Sequence, residues 1–294
     1  MTGAEAPVFL RLGGATDSAG SVYLVGNNPG PSSMPDATLD HIARAFDLRV
    51  RSATFTQTCG AAIVGPMNDH VRDLASVRDA TERLLTAATK LDNARVTEPS
   101  RLPGWSRGHV LAHLARNADA LTNVLAGRPM YASADVRDAD IERDAPRPLD
   151  VQVTDVRESG ARFQDEAAVP ADWSRTVELR NGVTDSASRV PFRRWVEVEL
   201  HHVDLGIGYE LEDLPEGFTQ REINFLAERF RGHPDVPALL VKQDDGRMIS
   251  SGRREGEPLV VTGRQADLLG WLAGRRDGSA LTVDGGPLPA LPPL

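Results

Sequence analysis

The 294-residue sequence predicts a mainly α-helical protein, a four-helix bundle followed by a smaller α+β domain. Between about residue 69 and residue 209, four segments repeat apolar residues at helical spacing, and turn signals separate them. After residue 214, short β-branched runs bounded by Gly, Asp and Pro alternate with two helical segments. The predicted domain limits are 1–66, 67–212 and 213–294.

The four helices of the predicted bundle follow from local signals. Ser106 is a favourable N-cap for the second helix, and Gly127 ends it. Pro170 ends the third helix, and Pro191 stands near the start of the fourth, where proline is tolerated. Residues 128–148 are polar and proline-marked, so they are predicted as a connection. The helices are predicted over about 69–92, 106–126, 149–168 and 191–209.

The second domain is predicted from shorter runs. One helix covers about 219–231, and a compact amphipathic helix covers about 266–276. The extended segments are predicted at 237–243, 247–251, 258–264 and 279–285. An Asn181-Gly182 turn is predicted in an extended segment that precedes the fourth bundle helix.

The first 66 residues differ from the rest of the chain. They are rich in Gly, Pro, Ser and Asn without periodicity, which predicts a poorly ordered, dispensable extension, with a small accessory element as the alternative. The single cysteine, Cys59, lies in this segment. One cysteine excludes an intrachain disulfide and is typical of a reducing compartment.

Composition limits the classes of function. A net charge of −9 and a pI of about 5.3 argue against a general nucleic-acid binder, which needs a basic face. No apolar run approaches the roughly 20 residues that span a bilayer, and no basic region followed by an apolar stretch opens the chain. The sequence therefore predicts a cytoplasmic protein without nucleic-acid or membrane partners; a protein partner stays open.

The stretch "RRWVEVELHHVDLG", residues 193–206, concentrates titratable side chains in an apolar segment. At 100° per residue, two apolar stripes flank Glu197, His201 and Asp204. A helix that is apolar on two sides is largely buried, so Glu197 and His201 are expected in a low-dielectric interior. A buried carboxylate needs a positive partner such as a metal ion. Glu199 with His202 is the rival pair.

A metal site needs at least one further ligand. Catalytic zinc commonly takes three protein ligands and keeps one open position. His109 and His113 lie one turn apart on the second helix, and bundles build metal sites from facing helices, so either histidine completes a set. The alternative is that these histidines are core or flank residues satisfied by hydrogen bonds.

The segments "LPGWSRGHVLAHLARNADAL", "PMYAS" and "EVELHHVDLG" resemble the mycothiol-dependent maleylpyruvate isomerase family over about residues 69–290; residues 1–66 match nothing in it. The resemblance implies a DinB-like metal-binding four-helix bundle. It implies zinc held by His113, Glu197 and His201. It also implies an important arginine after the last helix, which maps to Arg275 with Arg276 as its neighbour.

The resemblance further implies the reaction, a cis–trans isomerisation of maleylpyruvate to fumarylpyruvate in gentisate-type aromatic degradation. A thiol that adds to the conjugated alkene leaves a rotatable single bond and is then expelled. Since the chain beyond Cys59 has no thiol, the nucleophile is expected to be the cofactor mycothiol, ionised by zinc. Arg275 would hold a carboxylate of the dianionic substrate.

Four further residues are candidates near this site. Asn117, one turn after His113, and Arg276 are candidates for binding substrate or cofactor, although a core amide is the alternative for Asn117. His109 and Asp204 are candidates for supporting the ligands. Two other functions stay open: a mycothiol S-transferase acting on other electrophiles, and a non-catalytic zinc-binding regulatory module.

Overall fold

The computed structural model of the chain describes residues 14–16, 22–24, 69–169 and 171–293. The chain divides into two compact units, residues 1–62 and 63–294. In the first unit, strands β1 (Gly14–Thr16) and β2 (Val22–Leu24) pair antiparallel, although no strand is predicted there from the sequence. Cys59 lies outside the described residues, and the predicted domain limits stay a prediction.

The described part of the second unit is mainly helical and confirms the predicted fold class. Helices α1, α3, α5 and α6 form the bundle; α3 packs mainly on α5, and α1 mainly on α6. The helices of this part are α1 (Asp69–Ala88), α2 (Asn93–Val96), α3 (Arg107–Leu125), α4 (Ala134–Asp144), α5 (Leu149–Ala168) and α6 (Val190–Asp204). None of the described helices is long and apolar enough to cross a membrane.

Helix α3 begins where the sequence predicted. The Ser106 hydroxyl accepts the His109 backbone N–H (3.4 Å), and the Ser106 N–H donates to His109 Nδ1 (3.2 Å). This reciprocal capping box satisfies two backbone donors at the helix start and typically stabilises by about 1 kcal/mol. His109 is therefore used to begin the helix that carries His113.

Helix α4 contradicts the predicted connection. Ser133 accepts the Val136 N–H at 3.1 Å as the N-cap, and Asp135 follows in the first turn. Ile141 and Asp144 are the buried residues of this helix. A helix with so few apolar residues shows almost no periodicity, but its N-cap signal was present in the sequence.

Helix α6 is shorter than predicted. It ends at Asp204, five residues before Tyr209, because Gly206 adopts a left-handed φ of 63°. Before α6, strands β3 (Thr176–Glu178) and β4 (Thr184–Ser186) pair antiparallel. The predicted turn lies between these strands, where Asn181 and Gly182 have φ values of 60° and 71°.

The C-terminal domain is a four-stranded mixed sheet with two helices. The strand order is β6-β5-β7-β8, with β5 parallel to β7 and the other pairs antiparallel. The predicted helices and strands of this domain all form, with shifted ends. They are α7 (Glu216–Arg229), β5 (Leu239–Gln243), β6 (Met248–Ser251), β7 (Leu259–Gly263), α8 (Gln265–Leu272) and β8 (Thr282–Asp284).

An aromatic seam joins this domain to the bundle. Phe192 and Trp195 of α6 pack on Phe218 of α7, with ring centroids 6.4 and 5.1 Å apart, and Phe225 packs on Phe192 at 6.1 Å. One continuous buried apolar cluster runs from α1 to α8. The seam therefore holds α7 against the helix that carries Glu197 and His201.

Gly108 is expected to be indispensable for bundle packing. A Cβ there would overlap the backbone oxygen of Ala145, which together with the Gly108 oxygen accepts hydrogen bonds from buried Gln152. Gly108→Ala should therefore lower the free energy of unfolding by about 2 kcal/mol or more. Gly160→Ala is the matched control, because its Cβ would meet only Thr81 Cγ2 at 3.6 Å.

The comparison is made by urea denaturation of the two variants. Gly160→Ala should be neutral or stabilising by up to about 1 kcal/mol, since alanine favours a helix over glycine. Equal denaturation midpoints for both variants would show that α3 and the end of α4 separate without cost.

Candidate metal centre

Three potential metal ligands from two bundle helices meet at one point. His113 of α3 and His201 of α6 both face Glu197, one turn before His201. Glu197 Oε2 lies 3.0 Å from His113 Nε2 and 3.2 Å from His201 Nε2. The ligand atoms all lie within 4.8 Å of one another, and no other such group of three occurs among the described residues.

The spacing of these atoms fits a small divalent cation. Tetrahedral zinc with bonds of about 2.0–2.1 Å places its ligand atoms about 3.3–3.4 Å apart. The distances from Glu197 Oε2 to the two histidine Nε2 atoms, 3.0 and 3.2 Å, are slightly shorter than this ligand-to-ligand separation. Two imidazoles and one carboxylate also match a catalytic zinc donor set that keeps an open position.

Asp204 fixes the orientation of His201. His201 Nδ1 donates to Asp204 Oδ2 at 2.9 Å, so Nε2 is turned towards Glu197 and His113. A carboxylate that takes the second imidazole proton is the usual support of a metal-ligating histidine. The structure thus brings Asp204 to the position at which such support is given.

The electrostatics of the metal-free cluster favour charge on Glu197. Burial raises the pKa of Glu197, but hydrogen bonds from His113 and His201 outweigh it and hold this pKa well below the ordinary value. Burial lowers the pKa of His113 to about 4, whereas contacts with Asp204 and Glu197 overcome burial and raise the pKa of His201. The site therefore holds an ionised carboxylate and one neutral imidazole, the states that ligate metals.

The cluster opens into a cavity of about 500 Å³ between the bundle and the C-terminal domain. Trp105, Leu102 and Leu200 form part of its apolar wall. Four charged residues outside the cluster also line it, Arg137, Glu222, Arg229 and Arg275. The cavity thus combines the three potential ligands with cationic side chains and apolar walls.

Of Arg275 and its neighbour Arg276, Arg275 is the one that lines the cavity. Its Nη2 and Nε donate to Asp204 at 2.9 and 3.3 Å, and its Nη1 donates to the Ala273 carbonyl at 2.7 Å. Arg276 instead pairs with Asp267 and Glu212 and is not part of the cavity wall. Of the two neighbours, only Arg275 lines the cavity, and its role toward a substrate stays a prediction.

Two other candidates lie away from the cavity. Asn117 is buried, and its Oδ1 accepts a hydrogen bond from Arg194 Nη1 at 2.8 Å, so the core-amide alternative describes it. His109 caps α3, and its Nε2 lies 3.3 Å from Glu142. Asn117, His109 and Arg276 do not line the cavity, and contact of Asn117 or Arg276 with substrate or cofactor stays a prediction.

Of the two rival glutamates, Glu199 is more deeply buried than Glu197, contrary to the prediction from the helical wheel. The Glu197 side chain is 32% exposed because it faces the cavity, whereas Glu199 is 1% exposed. Glu199 accepts hydrogen bonds from Arg83 (2.6 Å), Trp195 (2.9 Å) and Tyr209 (2.8 Å). His202 stacks on Tyr209 with ring centroids 4.0 Å apart. The Glu199/His202 pair is thus a core feature.

Three charged residues of the cavity were not predicted from the sequence. Arg137 lies on the unpredicted helix α4 and donates to His113 Nδ1 at 3.3 Å. Glu222 and Arg229 lie on α7, a helix that was predicted without any of its residues being a site candidate. The N-cap at Ser133 was a signal for the helix of Arg137, but no local pattern reveals that Glu222 faces another domain.

Comparisons with known proteins agree with this architecture. The family model described as the mycothiol maleylpyruvate isomerase N-terminal domain matches residues 77–206, and the model of the family's C-terminal domain matches residues 213–293. Comparison with curated proteins gave no match.

Two solved structures resemble the chain over most of its length. They are described as crystal structures of the mycothiol-dependent maleylpyruvate isomerase and of a histidine-to-alanine mutant of it. Each has a TM-score of 0.70 and 26% sequence identity, and the match covers 76% of this chain and 97% of that chain. With both halves of its second unit matched by the two domain models, the chain belongs to the mycothiol maleylpyruvate isomerase family.

Proposed function

We propose that this protein is a metal- and mycothiol-dependent isomerase that converts maleylpyruvate to fumarylpyruvate. The observation that carries the proposal is the His113–Glu197–His201 cluster in the wall of a cavity that Arg275 also lines. Family membership and the two similar solved structures support the choice of substrate and of cofactor.

The three ligands suit zinc, and we propose zinc as the metal. When bound with one open position, such a metal lowers the pKa of a thiol ligand, so mycothiol is supplied as a nucleophile for reversible addition to a conjugated double bond. His113, Glu197 and His201 would hold the metal, and Asp204 would keep the His201 ring oriented through its 2.9 Å hydrogen bond.

Cationic side chains account for the binding of a dianion. Arg275 and Arg137 each present a guanidinium to the cavity, and Arg229 lies at its wall without a carboxylate partner among the described residues. A guanidinium binds a carboxylate through two parallel hydrogen bonds, which fixes orientation as well as charge. The apolar walls exclude water and strengthen these interactions.

Arg275→Ala is expected to lower kcat/KM by about a hundredfold, because two charge-assisted hydrogen bonds are lost. The metal content should remain unchanged, since Arg275 is not one of the three ligands. Arg276→Ala is the matched control, because the neighbouring guanidinium binds Asp267 and Glu212 outside the cavity. Steady-state kinetics and metal analysis of both variants decide the matter.

If Arg276→Ala lost as much activity as Arg275→Ala, a general effect on the C-terminal segment would replace the proposed role. Loss of metal in Arg275→Ala would show that Arg275 acts through Asp204 and His201. The reaction itself is tested by following maleylpyruvate consumption by zinc-loaded protein with mycothiol. Absence of turnover there would contradict the proposed isomerase.

A further inference from the structure

Glu222 is an unpartnered carboxyl group in the wall of the candidate site. It lies on α7, it is 1% exposed, and it lines the same 500 Å³ cavity as His113, Glu197 and His201. Its Oε2 is buried and has no hydrogen-bond partner among the described residues. Buried polar atoms are nearly always hydrogen-bonded, so an unpaired one needs an explanation.

The three arginines whose charges act on Glu222 are each engaged with another carboxylate. Arg193, Arg221 and Arg275 are close enough for their charges to act on Glu222. However, Arg193 donates to Asp185 at 2.8 and 2.6 Å, and Arg275 donates to Asp204. Arg221 is ion-paired with Asp73 in the same way. The fold thus surrounds Glu222 with guanidinium groups but gives it none as a partner.

Glu222 is also not a member of the metal cluster. The group whose ligand atoms lie within 4.8 Å of one another comprises only His113, Glu197 and His201 among the described residues. Since neither a cation nor the cluster is paired with Glu222, the group left to meet its carboxyl is whatever fills the cavity that Glu222 lines.

We propose that Glu222 is a substrate-binding residue whose carboxyl group hydrogen-bonds an oxygen atom of the bound substrate. The class of substrate, a small dianionic oxo acid, rests on the proposed function. The role assigned to Glu222 rests on its position and its missing partner. With this role for Glu222, the C-terminal domain contributes a hydrogen-bonding group to the site as well as positive charge.

The protonation state of the Glu222 carboxyl group suits a hydrogen-bond donor. Burial raises the pKa of Glu222 to about 8; the charges of the nearby arginines oppose this rise and that of Glu197 adds to it. The carboxyl group is therefore mostly neutral at pH 7 and has an O–H to donate. An ionised carboxylate at this place would repel a dianion, whereas a neutral one binds its carbonyl or carboxylate oxygen.

The test compares Glu222→Gln, whose amide still donates, with Glu222→Leu, which fills a similar volume without a polar atom. Glu228→Leu is the matched control, because Glu228 is an exposed residue of the same helix and pairs with Arg231. The probe is maleate, a four-carbon cis-dicarboxylate, titrated calorimetrically into zinc-loaded protein. Zinc content and thermal midpoint are measured for each variant, and kcat/KM for maleylpyruvate is measured alongside.

We expect Glu222→Leu to weaken maleate binding and to lower kcat/KM by about ten- to a hundredfold, because one hydrogen bond to a charged group is lost. The zinc content should be unchanged. Glu222→Gln should stay within about threefold of the wild type, and Glu228→Leu should be unchanged. A merely structural role would move the thermal midpoint of Glu222→Leu without separating it from Glu222→Gln in maleate affinity.

The proposal is overturned by equal maleate affinity in the wild type and Glu222→Leu, or by no maleate binding to the wild type. Loss of zinc in Glu222→Leu would also overturn it, by making Glu222 a metal-site residue. If the wild type binds maleate in a Glu222-dependent manner but does not turn over maleylpyruvate, the proposed isomerase fails while the role of Glu222 stands.

Discussion

Alanine in place of His113 or His201 is expected to abolish stoichiometric zinc binding and, with it, turnover. Each substitution leaves only one imidazole and Glu197 of the three ligands. Two protein ligands rarely hold zinc at micromolar concentrations, and removal of one ligand also leaves Glu197 without one of its two hydrogen-bond donors. Metal analysis after dialysis against a weak chelator measures the effect.

His109→Ala provides the control, because it removes a histidine from the same helix one turn before His113. His109 caps α3 and does not belong to the cluster, so this variant should keep its zinc and lose only about 1 kcal/mol of stability. Full zinc content in both His113→Ala and His201→Ala would refute the assignment. Loss of zinc in His109→Ala alone would make His109 the ligand.

Omission of the external thiol is expected to reduce turnover to the uncatalysed background. The chain has a single cysteine, Cys59, and it lies outside both matched family domains. Rotation about a carbon–carbon double bond needs a nucleophile that adds and leaves, and the described residues contain no thiol to do so. Cys59→Ser should therefore retain full turnover when mycothiol is present.

The experiment requires protein freed of low-molecular-weight thiols by gel filtration and then reloaded with zinc. Addition of mycothiol should restore the rate in both the wild type and Cys59→Ser. Turnover by rigorously thiol-free protein would contradict the proposal. An inactive Cys59→Ser protein that still binds zinc would transfer the nucleophile to the chain itself.

The sequence predicted the bundle because its helices carry strong local signals. Ser106 and the periodic run after it defined α3 almost to the residue, and with it the position of His113. The end of α6 was placed too late because the apolar pattern continues past Asp204, although Gly206 was a visible stop. Helix α4, and therefore Arg137, was missed because most of its side chains face solvent.

A helical wheel could not predict which of the charged side chains is deeply buried. The wheel placed Glu197 in the interior, yet Glu199 is the deeply buried one, because Arg83 of α1 and Tyr209 supply its partners. Those partners are 116 and 10 residues away in sequence. The resemblance to the family selected Glu197 and His201, whereas burial reasoning alone would have misjudged which pair lies in the core.

The aromatic seam between α6 and α7 joins two segments that supply different residues of the candidate site. All three candidate ligands belong to the segment matched as the N-terminal domain, whereas Glu222 and Arg275 belong to the segment matched as the C-terminal domain. A chimera that exchanges residues 213–293 would inherit its metal from one parent and its substrate preference from the other. Such a graft should function only when its α7 supplies rings that fit Phe192 and Trp195, as Phe218 does here.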